Sequence, residues 1–122
     1  MGMRIKISPL DKLFSEYVRR RDKGICQRCG ANRGWKNLQC VHYHSRRKRS
    51  VRFDDANAIA ACLGCHQFFH ENPDEFKAFM RQRLGAGLDL LDSRARIMFP
   101  RPDEAAIKLY LQQEIKKLGK EG

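Results

Sequence analysis

The chain has no run of about 18 or more apolar residues, so we expect no helix that spans a membrane. Its first residues, Met1 to Ile7, also lack the apolar stretch of a secretory signal peptide. The sequence contains five cysteines in this context. Without a secretion signal, paired thiols indicate a reducing compartment, where they bind metal rather than form disulfides. These observations together predict a cytoplasmic protein.

Acidic residues are scarce in comparison with basic ones. The chain has 14 Asp and Glu against 25 Lys and Arg, which gives a formal net charge of +11 over 122 residues. Such an excess predicts a polyanionic partner, and nucleic acid is favoured over a membrane surface. A basic surface that serves only solubility remains the alternative on charge alone. The length fits one small domain, which we expect to cover residues 1–122.

Helical patterns occupy both ends of the chain. Ser8 and Pro9 are typical of a helix start, and apolar residues then recur at helical spacing to about residue 21. Asn72 and Pro73 indicate a second start, followed by helical segments to about residue 118.

The middle of the chain predicts a short strand over residues 38–44, with Cys40, His42 and His44 on one face. A return strand is expected at residues 51–53, and a helix from near Leu63. We therefore predict an α+β fold. A small ββα centre, with its metal-binding motifs, spans residues 25–73, between an N-terminal helix at about 9–21 and C-terminal helices at about 73–118.

Two Cys-x-x-Cys pairs bracket the middle of the chain. Each turn places two sulfurs close enough to share one zinc, and two turns complete a closed tetrahedral shell. The pairs are separated by 32 residues, a gap that an inserted hairpin explains. A thioredoxin-like redox pair is disfavoured because no βαβ pattern surrounds either motif. The predicted ligands of a structural zinc ion are Cys26, Cys29, Cys62 and Cys65. Cys40 is left over and is expected to be a small buried side chain on the strand.

A His, Asn, His constellation lies between and beside these pairs. His42 and the segment Asn57-Ala-Ile-Ala-Ala-Cys-Leu-Gly-Cys-His66 resemble the motif of zinc-stapled HNH endonucleases. Within that family the chain is most similar to small phage and prophage-encoded enzymes, many of which nick DNA. Residues 25–73 carry the resemblance, and the nine-residue step from Asn57 to His66 is its most specific part.

The resemblance implies a role for each residue of the motif. His42 matches the histidine that deprotonates the attacking water, a task that suits a neutral imidazole at physiological pH. Asn57 matches the asparagine that orients the loop or the base. His66 matches the helical ligand of one catalytic divalent cation, for which Mg²⁺ or Mn²⁺ is expected, and which stabilises the scissile phosphate.

Two further histidines are candidate ligands of that cation. His70 lies one helical turn after His66, so both rings can face the same ion. Many family members have a metal-binding residue immediately before the base, where this chain has Val41, which cannot coordinate. His44 could replace that ligand, and the reverse assignment, with His44 as base and His42 as ligand, stays open. The alternative for both His44 and His70 is a histidine with no metal.

A basic segment follows the predicted base directly. We expect it to contact DNA phosphates, although such runs are often only solvated loops. The predicted DNA-binding residues are Arg46, Arg47, Lys48, Arg49 and Arg52.

The sequence thus predicts a metal-dependent HNH endonuclease that nicks one strand of duplex DNA, as a monomer or weak dimer encoded by a phage or prophage. The alternative is a non-catalytic zinc-ribbon DNA-binding module, or an accessory protein of phage terminase and packaging. A zinc-knuckle RNA-binding protein is disfavoured because the aromatic platform of such modules is missing.

Overall fold

The computed structural model describes residues 6–98 and 102–121. The first helix, α1, runs from Pro9–Arg21. It begins with a capping box, in which the Ser8 side chain accepts a hydrogen bond from the Asp11 backbone N–H and the Asp11 carboxylate accepts one from the Ser8 N–H. Its buried face includes Leu10, Phe14 and Val18. The predicted N-terminal helix is confirmed at both ends.

Two short strands form the sheet at the centre of the protein. Strand β1 spans Gln39–His42 and pairs antiparallel with β2, Ala58–Ala61, with Gln39 opposite Ala61 and His42 opposite Ala58. The expected return strand at residues 51–53 is wrong. Val51 ends a 3-10 turn, Arg49–Val51, and its carbonyl accepts a hydrogen bond from the Asn57 side chain instead of from a strand. The return strand is the buried run of small residues that follows Asn57.

Four helices follow β2. They are α2 (Leu63–Glu71), α3 (Pro73–Leu84), α4 (Gly87–Arg96) and α5 (Glu104–Glu121). Two further 3-10 turns, Trp35–Asn37 and Asp55–Asn57, flank the strands. Asn72 was expected to cap α3, but its Nδ2 donates to the Phe68 carbonyl and so closes the end of α2. No helix in the described ranges is both long and apolar enough to cross a membrane.

The hairpin lies between two hydrophobic clusters, one on each face. Val41 and Ile59 pack with the side chains of α2, α3 and α4, where the rings of Phe69 and Phe76 stack at 4.4 Å. Cys40 faces the other way, toward a cluster formed with α1 and α5 that contains Phe14 and Leu111. The predicted alternation is therefore confirmed for Cys40 and His42, which face α1, whereas His44 lies beyond the end of β1 and bonds to Asp92 on α4. Mixed helices around a two-stranded antiparallel sheet confirm the α+β class.

Candidate metal centre and histidine cleft

The four predicted zinc ligands converge at one end of the hairpin. The sulfur atoms of Cys26, Cys29, Cys62 and Cys65 all lie within 4.8 Å of one another. The Sγ atoms of Cys29 and Cys62 are 3.9 Å apart, and none of the four is in a disulfide. In a tetrahedron with Zn–S bonds of about 2.3 Å, the sulfurs are about 3.8 Å apart. The cluster therefore has the size and the donors of a structural zinc site.

The electrostatics of this cluster favour a bound cation. Burial raises the pKa of the Cys26 thiol, but backbone N–H groups of Cys29, Cys62 and Arg28 donate to its sulfur and lower the pKa to about 6. Burial and the neighbouring sulfurs raise the pKa of Cys65 to about 12, against a hydrogen bond from Arg28. Four thiolates so close together repel one another unless a cation neutralises them. The donor set thus fits a structural metal such as zinc.

The remaining cysteine lies outside this cluster. Cys40 on β1 packs against the α1 and α5 cluster, and burial raises its pKa to about 12. Its sulfur does not belong to the group of four that could hold an ion. Cys40 is therefore a packing residue on the strand, as predicted, but it is partly rather than fully buried.

All four histidines of the chain line two adjoining depressions, which we call the histidine cleft. One, of about 460 Å³, lies between β1, α2 and α3 and is lined by His42, His44, His66 and His70. The other, of about 870 Å³, extends toward α1 and is lined by His42, His66 and His70. Residues that are up to 28 positions apart in the sequence, from His42 to His70, are thus brought together.

His42 is held firmly at the end of β1. Its ring packs 5.6 Å from the ring of Phe14 on α1, and its Nε2 lies 3.2 Å from the carbonyl oxygen of Arg52. A carbonyl only accepts hydrogen bonds, so Nε2 carries the proton and the lone pair is on Nδ1. Burial lowers the pKa of His42 to about 4. The imidazole is consequently neutral at physiological pH.

Asn57 is fully buried and fixes the backbone of His44. Its Oδ1 accepts from the His44 N–H at 2.8 Å, and its Nδ2 donates to the His44 carbonyl at 2.9 Å and to the Val51 carbonyl at 3.1 Å. The side chain thereby satisfies three backbone groups that no strand partner reaches. The asparagine thereby fixes the backbone of the loop that follows β1.

The rings of His44 and His66 also have partners. His44 Nε2 lies 2.7 Å from Asp92 Oδ1 on α4, and His66 Nδ1 bonds to Oε1 of Gln39 on β1. Asp92 and Gln39 were missed by the sequence reasoning. Gln39 could have been found, because it begins the strand that carries His42. Asp92 lies 48 positions from His44, and no spacing rule connects them.

Three imidazoles of the cleft therefore share one arrangement. His42, His44 and His66 each have one ring nitrogen bonded to an oxygen of the protein, which leaves the other nitrogen for a ligand. Histidines that bind metals commonly have such an oxygen on the second nitrogen. Burial, and to a lesser extent the charge of His70, lower the pKa of His66 and favour its neutral form.

The histidines do not themselves form a preassembled metal cluster. Over residues 6–98 and 102–121, the four cysteines are the one group of at least three His, Cys, Asp or Glu ligand atoms close enough to hold an ion. The catalytic cation, and the ligand roles of His44 and His70, therefore stay predictions.

The predicted DNA-binding residues lie in two environments. Arg52 is tied to α1, because its Nε donates to Asp11 Oδ1 at 2.9 Å. Burial raises the pKa of Asp11, but hydrogen bonds from Arg52 and Ser8 outweigh it and hold the pKa below the usual 3.8. Arg46 lines the histidine cleft. The side chains of the intervening residues Arg47, Lys48 and Arg49 are exposed.

Trp35 lies in the 3-10 turn between α1 and β1. The guanidinium carbons of Arg19 and Arg20 lie 5.0 and 4.3 Å from its ring centroid. Trp35 thus holds two cations at the rim of the larger depression by cation–π contacts.

Comparison with known proteins gives one finding. A family model described as Bacteriophage Lambda NinG protein matches residues 4–121 of the 122. No curated protein and no solved structure matches the chain. The match covers helices, hairpin, cysteine cluster and histidine cleft alike, and it agrees with the expectation of a phage protein. The chain belongs to the bacteriophage lambda NinG protein family.

Proposed function

We propose that this protein is a metal-dependent DNA endonuclease of the HNH type, which hydrolyses phosphodiester bonds and nicks one strand of duplex DNA. One observation carries the proposal. A hairpin and a helix joined by the four-cysteine cluster bring His42, His66 and His70 to one open cleft, with Asn57 buried beside it. A hairpin and helix with these residues at these positions are the arrangement that the HNH resemblance implies.

His42 is the base in this proposal. Its Nε2–H is committed to the Arg52 carbonyl, so Nδ1 is the nitrogen that takes a proton from the attacking water. A protonated imidazole could not act as a base, and burial keeps His42 in its neutral form at physiological pH. The proton moves from the water oxygen to Nδ1 as that oxygen bonds to phosphorus.

His66 and His70 hold the catalytic cation in this proposal. They lie one turn apart on α2, and the Nδ1 of His66 is engaged by Gln39, so its Nε2 is the ligand atom. When bound, the divalent cation supplies Lewis-acid stabilisation of the charge that develops on the phosphate and on the leaving oxygen. Nitrogen donors fit Mn²⁺ and heavier divalent ions better than Mg²⁺, which prefers oxygen.

Duplex DNA is the proposed substrate because of the charge around the cleft. Exposed basic side chains at positions 47–49 follow the hairpin, and Arg46 reaches into the cleft. These groups would contact backbone phosphates and position the strand over His42. Since such contacts release counterions, we expect binding to weaken steeply as salt is added.

Incubation of supercoiled plasmid with the protein and Mn²⁺ or Mg²⁺ tests the proposal. We expect relaxed circles with the wild-type protein and a loss of at least about 10²-fold in rate for His42→Ala. A fold control is needed, so each variant is compared for zinc content and melting temperature. The alternative, a zinc-containing DNA-binding module without catalysis, predicts binding of the plasmid but no relaxed circles from any variant. Equal nicking by wild type and His42→Ala would contradict the assignment of the base.

A further inference from the structure

Asp92 bonds to a histidine of the cleft from an element outside the hairpin and α2. It lies on α4, and its Oδ1 is 2.7 Å from Nε2 of His44. A carboxylate accepts hydrogen bonds and does not donate them, so the His44 proton is on Nε2. His44 therefore keeps its lone pair on Nδ1, as His42 does by its bond to the Arg52 carbonyl.

His44 is restrained on three sides. Its backbone N–H and carbonyl are both bonded to the buried Asn57. Its ring lies edge-on to the Tyr43 ring at 4.9 Å, and Asp92 holds Nε2. A residue whose backbone and ring are both hydrogen-bonded has little conformational freedom, and a preorganised catalytic group must be restrained in this way.

Stability alone is a weak reason for this hydrogen bond. The side chains of His44 and Asp92 retain 23% and 26% of their exposure, and partly exposed pairs contribute little to folding. His44 lines the cleft that contains the proposed base, and Asp92 bonds to its ring. The geometry of this hydrogen bond is thus better explained by the placement of the His44 ring than by cohesion between the hairpin and α4.

We propose that Asp92 is a positioning residue for His44, and that His44 accepts a hydrogen bond at Nδ1 from the attacking water. The rings of His42 and His44 line the same depression. His42 takes one proton of that water, and the hydrogen bond to His44 holds the other, so that the water oxygen keeps a lone pair directed at phosphorus. This inference rests on the proposed nuclease function.

The test uses Asp92→Ala and a matched control on the same helix. Asp89 is an exposed carboxylate of α4 whose partner is Arg81 at 2.9 Å, so Asp89→Ala removes the same charge without touching the cleft. We expect Asp92→Ala to lower kcat for plasmid nicking by about 10²-fold with KM for DNA unchanged, since a misplaced group costs about that much. Asp89→Ala should nick as the wild type does, and both variants should keep its melting temperature. Asp92→Glu should recover part of the rate.

Two further readouts separate positioning from a structural role. In a His44→Ala background, Asp92→Ala should cause no additional loss, because the carboxylate acts through the ring. In proton NMR spectra, the Nε2–H of His44 should give a slowly exchanging signal that is absent from both His44→Ala and Asp92→Ala.

The possible failures are distinguishable. If the wild-type protein does not nick DNA with any divalent cation, the proposed function fails and this inference fails with it. If wild type nicks and His42→Ala does not, but Asp92→Ala keeps the wild-type kcat, only the role of Asp92 is overturned. Independent, multiplicative losses from His44→Ala and Asp92→Ala would also overturn it.

Discussion

The two ends of the same hairpin are built in opposite ways. At one end, which we call the closed end, two Cys-x-x-Cys motifs supply all four sulfurs of the cluster. At the other end, which we call the open end, three histidines each bond to a different partner. His42 bonds to the Arg52 carbonyl, His44 to Asp92 and His66 to Gln39. Local spacing sets the two sulfurs within each pair of the closed end, whereas each histidine partner at the open end comes from a distant part of the sequence.

The difference extends to how polar groups are satisfied. The sulfurs of the closed end contact one another and accept hydrogen bonds from a few N–H groups. Their mutual repulsion as thiolates is relieved only when a cation binds among them. The imidazoles of His42, His44 and His66 each have one nitrogen engaged by the protein and one left over. One end is therefore suited to holding a metal permanently and the other to binding something that is exchanged.

The largest expected effect comes from breaking the closed end. Cys62→Ser removes one of four thiolates, and structural zinc contributes on the order of 10 kcal/mol to small domains. We expect loss of bound zinc and of a cooperative thermal transition by circular dichroism.

Cys40→Ser provides the matched control for that variant. Cys40 lies in β1 and Cys62 directly follows β2, but only Cys62 belongs to the cluster. The Cys40→Ser protein should keep its zinc, and its free energy of unfolding should fall by about 1 kcal/mol at most because the new hydroxyl is only partly buried. A Cys62→Ser protein that retains zinc and unfolds cooperatively would remove the distinction between the two ends.

A smaller but more selective effect is expected at the open end. Asn57→Ala removes the side-chain partner of the His44 N–H and carbonyl and one of the two donors to the Val51 carbonyl, which keeps the Asp54 N–H; we expect a cost of about 3 kcal/mol of unfolding free energy. We expect zinc to remain bound and nicking to be lost, as measured by urea denaturation, metal analysis and the plasmid assay.

Asn37→Ala is the matched control for Asn57→Ala. The exposed amide of Asn37 donates to the Arg33 carbonyl, and its removal should change stability by no more than about 0.5 kcal/mol. Loss of zinc together with loss of nicking in Asn57→Ala would show that the two ends fold as one unit and cannot be separated.

These two regions also explain what the sequence could and could not reveal. The cysteine cluster and α1 were predicted correctly because their signals, paired cysteines and a Ser-Pro cap, are local. The return strand was misplaced because the β-branched Val51 resembles a strand residue more than the small residues of β2 do. Asn57, whose side chain takes the place of strand pairing there, was found only through the family resemblance. Asp92 could not be found, since its approach to His44 depends on how α4 packs against the hairpin.

The smallest expected effect is a pH dependence of the unfolding free energy that arises from His42 at the open end. Burial lowers the pKa of His42 from 6.5 to about 4, so between these values the unfolded chain binds a proton that the folded protein does not. Stability from the neutral, buried ring is thus complete above pH 6.5 and is lost as the pH falls toward 4. Between pH 6.5 and about 5 the loss is on the order of 1 to 2 kcal/mol.

His42→Gln removes this titrating group, so its unfolding free energy, measured in urea with zinc in excess, should fall less steeply over the same window. Excess zinc matters because the thiolate of Cys26 also gains a proton near pH 6, and loss of metal would steepen both curves. Parallel curves for the two proteins would mean that the His42 ring is charged or solvated in the folded state. That result would also weaken its assignment as the base, because a solvated ring would not be held by Phe14 and the Arg52 carbonyl in the orientation that leaves Nδ1 for the water.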